Sequence, residues 1–153
     1  MRLEPVTDPA TRAELLGGEL AGRQAAPGWP HEDTEPGMSF LDFGGAVFLI
    51  LDDDDRIAGE CGTKTAPDPV GIVEIGYGLA PGSRGRSLGG RAVTALVDRL
   101  AERPEVAVVE AEAHVGNEPS WRILERIGFV PTGVEAHGYR RYGLDLAHWR
   151  SRA

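Results

Sequence analysis

The sequence is poor in cysteine, in long apolar runs and, over one stretch, in positive charge. Its single cysteine, Cys61, excludes an internal disulfide framework and fits a reducing compartment. No window approaches the ~18 uninterrupted apolar residues of a membrane span. The start, Met1-Arg2-Leu3-Glu4-Pro5, lacks the charged-then-apolar profile of a secretory signal. Cytoplasm is the expected location, with no membrane partner. Between Arg23 and Arg56 there is no Lys or Arg, whereas Glu32, Asp33, Glu35, Asp42 and Asp52 to Asp55 all fall there. The formal net charge of −8 argues against a nucleic-acid surface, which needs clustered Lys and Arg.

What is present fits one domain: 153 residues suffice for one substantial core. Arg84, Arg86 and Arg91 form a compact basic spot, which suits a polyanionic ligand, while the acidic stretch suits a cationic one. For Asp52 to Asp55 a solvated turn is the stronger reading, because the Gly and distal Glu of a calcium loop are missing. No metal site is expected.

Apolar periodicity predicts an edge strand near Leu3 and Val6, a helix over Thr11 to Ala21, and a hairpin of Ala46–Leu51 with Ile57–Thr63. Residues 22–45, rich in Gly, Pro and acid, read as a loop with at most one short helix. A third strand covers Gly71 to Leu79. Val93, Leu96, Val97 and Leu100 give Gly89 to Arg103 one apolar helical face, ended by Pro104. A strand over Val106 to Val115 follows, then a short helix with Asn117 as N-cap and Gly128 as left-handed C-cap, then a strand over Tyr139 to Leu146. The succession is that of a mixed α/β single domain, residues 1–153.

The loop Gly82 to Gly90 runs straight into a helix. Small residues let backbone N–H groups converge there, and the helix start adds unpaired donors and the positive dipole end. Arg84 and Arg86 can add charge-assisted bonds, so the segment reads as a pyrophosphate cradle; alone, it could equally be a flexible turn. Gly76 and Gly78 lie inside the preceding strand, where glycine marks a bulge or a close backbone approach. A strand pushed from its neighbour would open a slot at its carboxyl end.

Three motifs, Val73-Glu-Ile-Gly-Tyr-Gly-Leu79, Arg84-Gly-Arg-Ser-Leu-Gly-Gly90 and Asn117-Glu-Pro-Ser120 with Glu125-Arg-Ile-Gly-Phe129, carry a resemblance. Residues 72–132 resemble the GNAT (general control-related N-acetyltransferase) superfamily, particularly its ribosomal-protein N-terminal acetyltransferase branch. The family loop Arg/Gln-x-x-Gly-x-Gly/Ala reads here Arg84-x-x-Ser87-x-Gly89, with serine at the middle glycine. A serine keeps its N–H but not a backbone geometry open only to Gly.

The resemblance implies a GNAT-like, mostly antiparallel sheet flanked by helices, with a splayed strand pair forming a coenzyme A slot. It implies acetyl-CoA as co-substrate, direct attack by a primary amine in a ternary complex, and an acceptor that is a small amine or a protein N-terminus. A homodimer is compatible with it. Pantetheine would run along the strand end near Leu79, and the pyrophosphate would sit on the amides of Arg84, Gly85, Arg86, Ser87, Leu88, Gly89 and Gly90. Asn117 would contact pantetheine, a role compatible with capping. Glu74 is the leading general base or a structural partner of an arginine. Leu124 stands where many relatives carry an acid tyrosine, which leaves Ser120 to meet the sulfur, unless it is an ordinary first-turn serine. Glu112 and His114 come off the neighbouring strand, either as acceptor contacts or a second base, or as its polar face. His137 and Tyr139 are weaker candidates, and Cys61 has no partner signal for nucleophilic work. Two rival readings stand beside acetyl transfer: a coenzyme A-binding module without catalysis, and a transferase of longer acyl groups.

Overall fold

The hairpin around Asp52 to Asp55 forms as its composition requires. In the computed structural model, Asp52 Oδ1 accepts from the backbone N–H groups of Asp54 and Arg56, both at 2.9 Å, closing the turn between two strands. The structure describes residues 1–17, 20, 22–134 and 137–152. These build one seven-stranded sheet in the order β1-β2-β3-β4-β5-β7-β6. The strands are β1 (Arg2–Pro5), β2 (Gly44–Leu51), β3 (Ile57–Thr65), β4 (Ile72–Leu79), β5 (Val108–His114), β6 (Val130–Val134) and β7 (Tyr139–Asp145). Every neighbouring pair is antiparallel except β4–β5. Among the described residues no helix is long and apolar enough to cross a membrane.

Helices cover both faces. The helices α3 (Leu88–Ala101) and α4 (Glu118–Ile127) bury Val93, Leu96, Val97 and Leu124 against Val73, Ile75, Val109 and Tyr142 of the sheet. The hydroxyl of buried Tyr142 is satisfied by Glu125 at 2.9 Å. On the other face α1 (Pro9–Leu16), α2 (Thr34–Met38) and a 3₁₀ turn (Ser39–Phe43) cover Val47, Leu49, Leu51 and Ile57. The chain closes with α5 (Leu146–Arg150), N-capped by Asp145.

Several expectations shift. The first helix starts at Pro9 behind the Asp8 cap, and Leu16 is its last residue; positions 18, 19 and 21 of the expected span lie outside the described residues. The strand β6 and the helix α5 lack a strong periodic signal and were not expected. Asn117 holds the N-cap position of α4, but its side chain makes no capping hydrogen bond. Gly128 does close α4 in the left-handed region, at φ 119°.

One irregularity decides what β3 presents. Leu51 pairs with Ile57 and Ile50 with Gly59, so Ala58 is an extra residue in the ladder. Alternation resets there: Ile57 packs toward α2, Ala58 and Cys61 toward α3, and Glu60 returns to the α2 side. Without the bulge, strict alternation from Ile57 would aim Glu60 into the α3 core.

Candidate active site

The strands β4 and β5 pair only through Ile72–Val108, Val73–Val109 and Glu74–Glu110. Beyond Glu74, β4 stays with β3 as far as Leu79, and β5 stays with β7 as far as His114. A gap opens between them. Gly76 and Gly78 do not create it by a bulge, since the β3–β4 register is continuous. Their role is to admit rings: a Cβ at Gly76 would lie 2.9 Å from Phe40 Cζ, and one at Gly78 would lie 2.8 Å from His31 Cε1. The close approach foreseen for these glycines is therefore made by side chains of the 22–45 segment.

Two cavities meet at the gap. The larger, about 1230 Å³, lies on the α3–α4 side. Leu79, Arg84, Gly85, Ser87, Leu88, Gly89 and Gly90 line it, with Asn117 and Ser120 opposite; exposed Arg86 does not. Arg84 Nε donates to the Leu79 carbonyl at 3.2 Å. Arg91, part of the basic spot, turns its guanidinium to Asp53, at 3.1 Å. Ser87, in place of the family glycine, adopts φ 60°, the left-handed conformation that glycine takes without strain. Ser87→Gly is expected to raise stability by about 0.5–1 kcal/mol, offset in part by glycine's larger unfolded-state entropy; urea denaturation checks it, and a loss of stability would refute the strain.

The smaller cavity, about 390 Å³, lies on the α2 side. Asp33, Glu60, Lys64, Glu112, His114 and Tyr139 supply its polar lining, and Tyr77, Gly78, Asn117, Ser120 and Asp33 border both cavities. Glu74 does not line it. Glu74 Oε2 is bound by Lys64 Nζ, and Oε1 faces Arg141 Nη2 at 3.4 Å. Lys64 also reaches Glu112 at 3.4 Å, and Arg141 reaches Glu110 at 3.6 Å and Glu112 at 3.5 Å. Three carboxylates thus share two cations, the ion-pair alternative for Glu74; Lys64 is the chain's single lysine. The His114 ring meets Tyr139 edge-on at 5.3 Å, and its Nδ1 accepts from the Gly116 N–H. Exposed His137 lines neither cavity.

Glu60 was not legible as a site residue. Its side chain is buried beside that of His31, with Oε1 and Nε2 2.5 Å apart. Oε2 accepts from Trp29 Nε1 at 3.0 Å and Thr34 Oγ1 at 3.2 Å. His31 Nδ1 accepts the Asp33 N–H at 3.3 Å, which leaves Nε2 as the ring nitrogen beside the carboxylate. A glutamate in the apolar segment Ile57–Gly62 is the signal that could have marked it. Cys61 points the other way, and burial pushes its thiol up to about 12, so it stays neutral and unfit as a nucleophile.

The candidate site is thus a gap at the carboxyl end of a parallel strand pair, with a glycine-rich helix start on one side and a carboxylate-lined cavity on the other. The description of the acetyltransferase (GNAT) domain matches residues 3–130, and the chain belongs to this family of N-acetyltransferases. It is 29% identical over 105 residues to a Bacillus subtilis (strain 168) protein described provisionally as a ribosomal protein bS18-alanine N-acetyltransferase, covering 68% of each chain. It is 29% identical over 135 residues to a mycothiol acetyltransferase of Thermomonospora curvata, covering 86% of this chain and 44% of that one. Among solved structures, a chimera of the Vibrio cholerae spermidine N-acetyltransferase SpeG with hSSAT superposes with a TM-score of 0.72 at 16% identity, covering 98% of this chain and 99% of that one. An aminoglycoside acetyltransferase, AAC(6')-Ib, in complex with coenzyme A gives 0.64 at 20% identity, covering 76% of each. The mostly antiparallel sheet with its splayed pair is thus the fold the motifs implied.

Proposed function

We propose that the protein transfers an acetyl group from acetyl-CoA to a primary amine on a cationic acceptor. The observation that carries this reading is the meeting of two unlike cavities at the β4–β5 gap. In the larger one, the backbone amides of Arg84 to Gly90 and the start of α3 receive the pyrophosphate. Pantetheine follows the unpaired edge of β4 to Leu79, beside Asn117, and brings the thioester to Ser120. A backbone N–H near Leu79 faces the developing oxyanion.

The smaller cavity receives the amine. Asp33, Glu60 and Glu112 line it, and Lys64 is the one Lys or Arg among its lining residues, which favours a positively charged acceptor. The relatives are named for acceptors as different as spermidine, aminoglycosides and ribosomal proteins, so the acceptor class is read from this cavity's own charges. The ammonium must lose a proton before it attacks. Glu112 lines the cavity, and Glu74 shares both of its cations, so the two form one proton-accepting unit. Glu74 acts after giving up a cation or through water. His114 and Tyr139 orient the amine. Holding both substrates in line across the gap supplies most of the rate.

The test is to incubate the protein with acetyl-CoA and a panel of amines while following free thiol. Turnover should be fastest with di- and polyamines or basic peptides and weakest with acidic amines. Silence across the panel, with no thermal shift from coenzyme A, sinks the reading.

A further inference from the structure

At the gap the two walls touch through a pair of hydroxyls. Tyr77 comes from β4 and Ser120 from the first turn of α4. Their Oη and Oγ atoms are 2.7 Å apart, with either hydroxyl able to donate, and the Tyr77 O–H also donates to the Ser120 carbonyl at 3.1 Å. Both residues border both cavities. One turn further along α4, Leu124 is fully buried and offers no polar atom.

We propose that Tyr77 is a positioning residue for the leaving sulfur: its one O–H, shared between the Ser120 carbonyl and Oγ, occupies an acceptor position of the serine and leaves the serine hydrogen free to meet the thiolate. The inference rests on the acetyl-transfer reading. Ser120 alone has one hydrogen and two acceptor positions, and could spend its hydrogen on a nearby backbone carbonyl, as helical serines do. A donor fixed at Oγ commits that hydrogen to the cleft. Tyr77 is suited to this because burial pushes its phenol up to about 12, so it stays a donor throughout the neutral range.

The ammonium gives one proton to the carboxylates before attack, the nitrogen forms the new C–N bond, the C–S bond breaks with its electron pair on sulfur, and the second nitrogen proton leaves through the same carboxylates to solvent. No proton moves along the Tyr77–Ser120 chain. It stabilises the thiolate as a hydrogen-bond relay, and the thiol is reprotonated from solvent on release.

The test compares wild type, Tyr77→Phe, Ser120→Ala and the double variant. Phenylalanine keeps the ring and its packing. Tyr77→Phe should lower kcat about tenfold, a hydrogen bond to a charge-bearing group, with KM for acetyl-CoA, thermal midpoint and coenzyme A affinity unchanged. The double variant should be no slower than Ser120→Ala, since the tyrosine acts only through the serine. A readout free of turnover is thiolate absorbance of bound coenzyme A against pH: the bound thiol should titrate below the free one, and rise again in Tyr77→Phe. Equal kcat and equal thiol titration in wild type and Tyr77→Phe overturn the inference while leaving acetyl transfer standing. A wild type that neither binds coenzyme A nor turns over overturns the underlying reading instead.

Discussion

Gly90→Glu is expected to abolish productive coenzyme A binding in a protein that is no less stable than the parent. Gly90 is the third residue of α3, lines the larger cavity, and has nothing within 4 Å of where a Cβ would stand. The fold therefore has room for a side chain there. Glutamate is a better helix former than glycine by roughly 0.5–1 kcal/mol, and a carboxylate in the first turn complements the helix dipole. Both effects stabilise. The same carboxylate would occupy the space assigned to the pyrophosphate, and like-charge contact costs several kcal/mol, about 100-fold or more in affinity. Calorimetric titration with coenzyme A, beside a thermal melt, reads both quantities. Retained affinity would remove the pyrophosphate from the start of α3; a lost fold would show that the open space is needed for something else.

Gly62→Ala should do the reverse and strike the fold itself. A Cβ at Gly62 would lie 1.9 Å from the backbone oxygen of Ala46 on the paired strand β2. No rotamer relieves a contact between backbone atoms, so the β2–β3 ladder must open or shift. That ladder carries Glu60 and Cys61 on β3, and Val47 and Leu49 on β2. The expected loss is at least about 3 kcal/mol, at the upper end of single-residue effects. Chemical denaturation measures it, and a loss below about 1 kcal/mol would mean that the β2–β3 pairing yields locally at Gly62.

What the sequence revealed depended on how local each signal is. The loop from Arg84 into α3 was legible because a glycine-rich loop before an amphipathic helix is written in consecutive residues. The hairpin and α3 were legible for the same reason. The strand β6 was missed because Val130–Val134 is short, holds Pro131 and Gly133, and is defined by its pairing with β7 rather than by its own pattern. The helix α5 was missed because Leu146 reads as a strand end until the Asp145 cap is seen.

The smaller cavity was hidden for a deeper reason. His31 and Glu60 are distant in the chain, and the orientation of Glu60 depends on the single extra residue Ala58. No periodicity count reveals a bulge. Glu74 shows the same limit: its place on the face of Gly76 and Gly78 follows from alternation, but its cations come from β3 and β7. Tyr77 was overlooked because a tyrosine beside apolar strand residues reads as core, which in part it is.

The separation of β4 from β5 also works as a gauge. Past Glu74 the two strands turn unpaired edges toward each other, and the start of α4 stands at the mouth with Asn117 and Ser120. On the acetyl-transfer reading, a thin chain with amides along its length is the kind of molecule that those edges suit. Width, set by where two strands stop pairing, would on that reading be the first selection made at the gap.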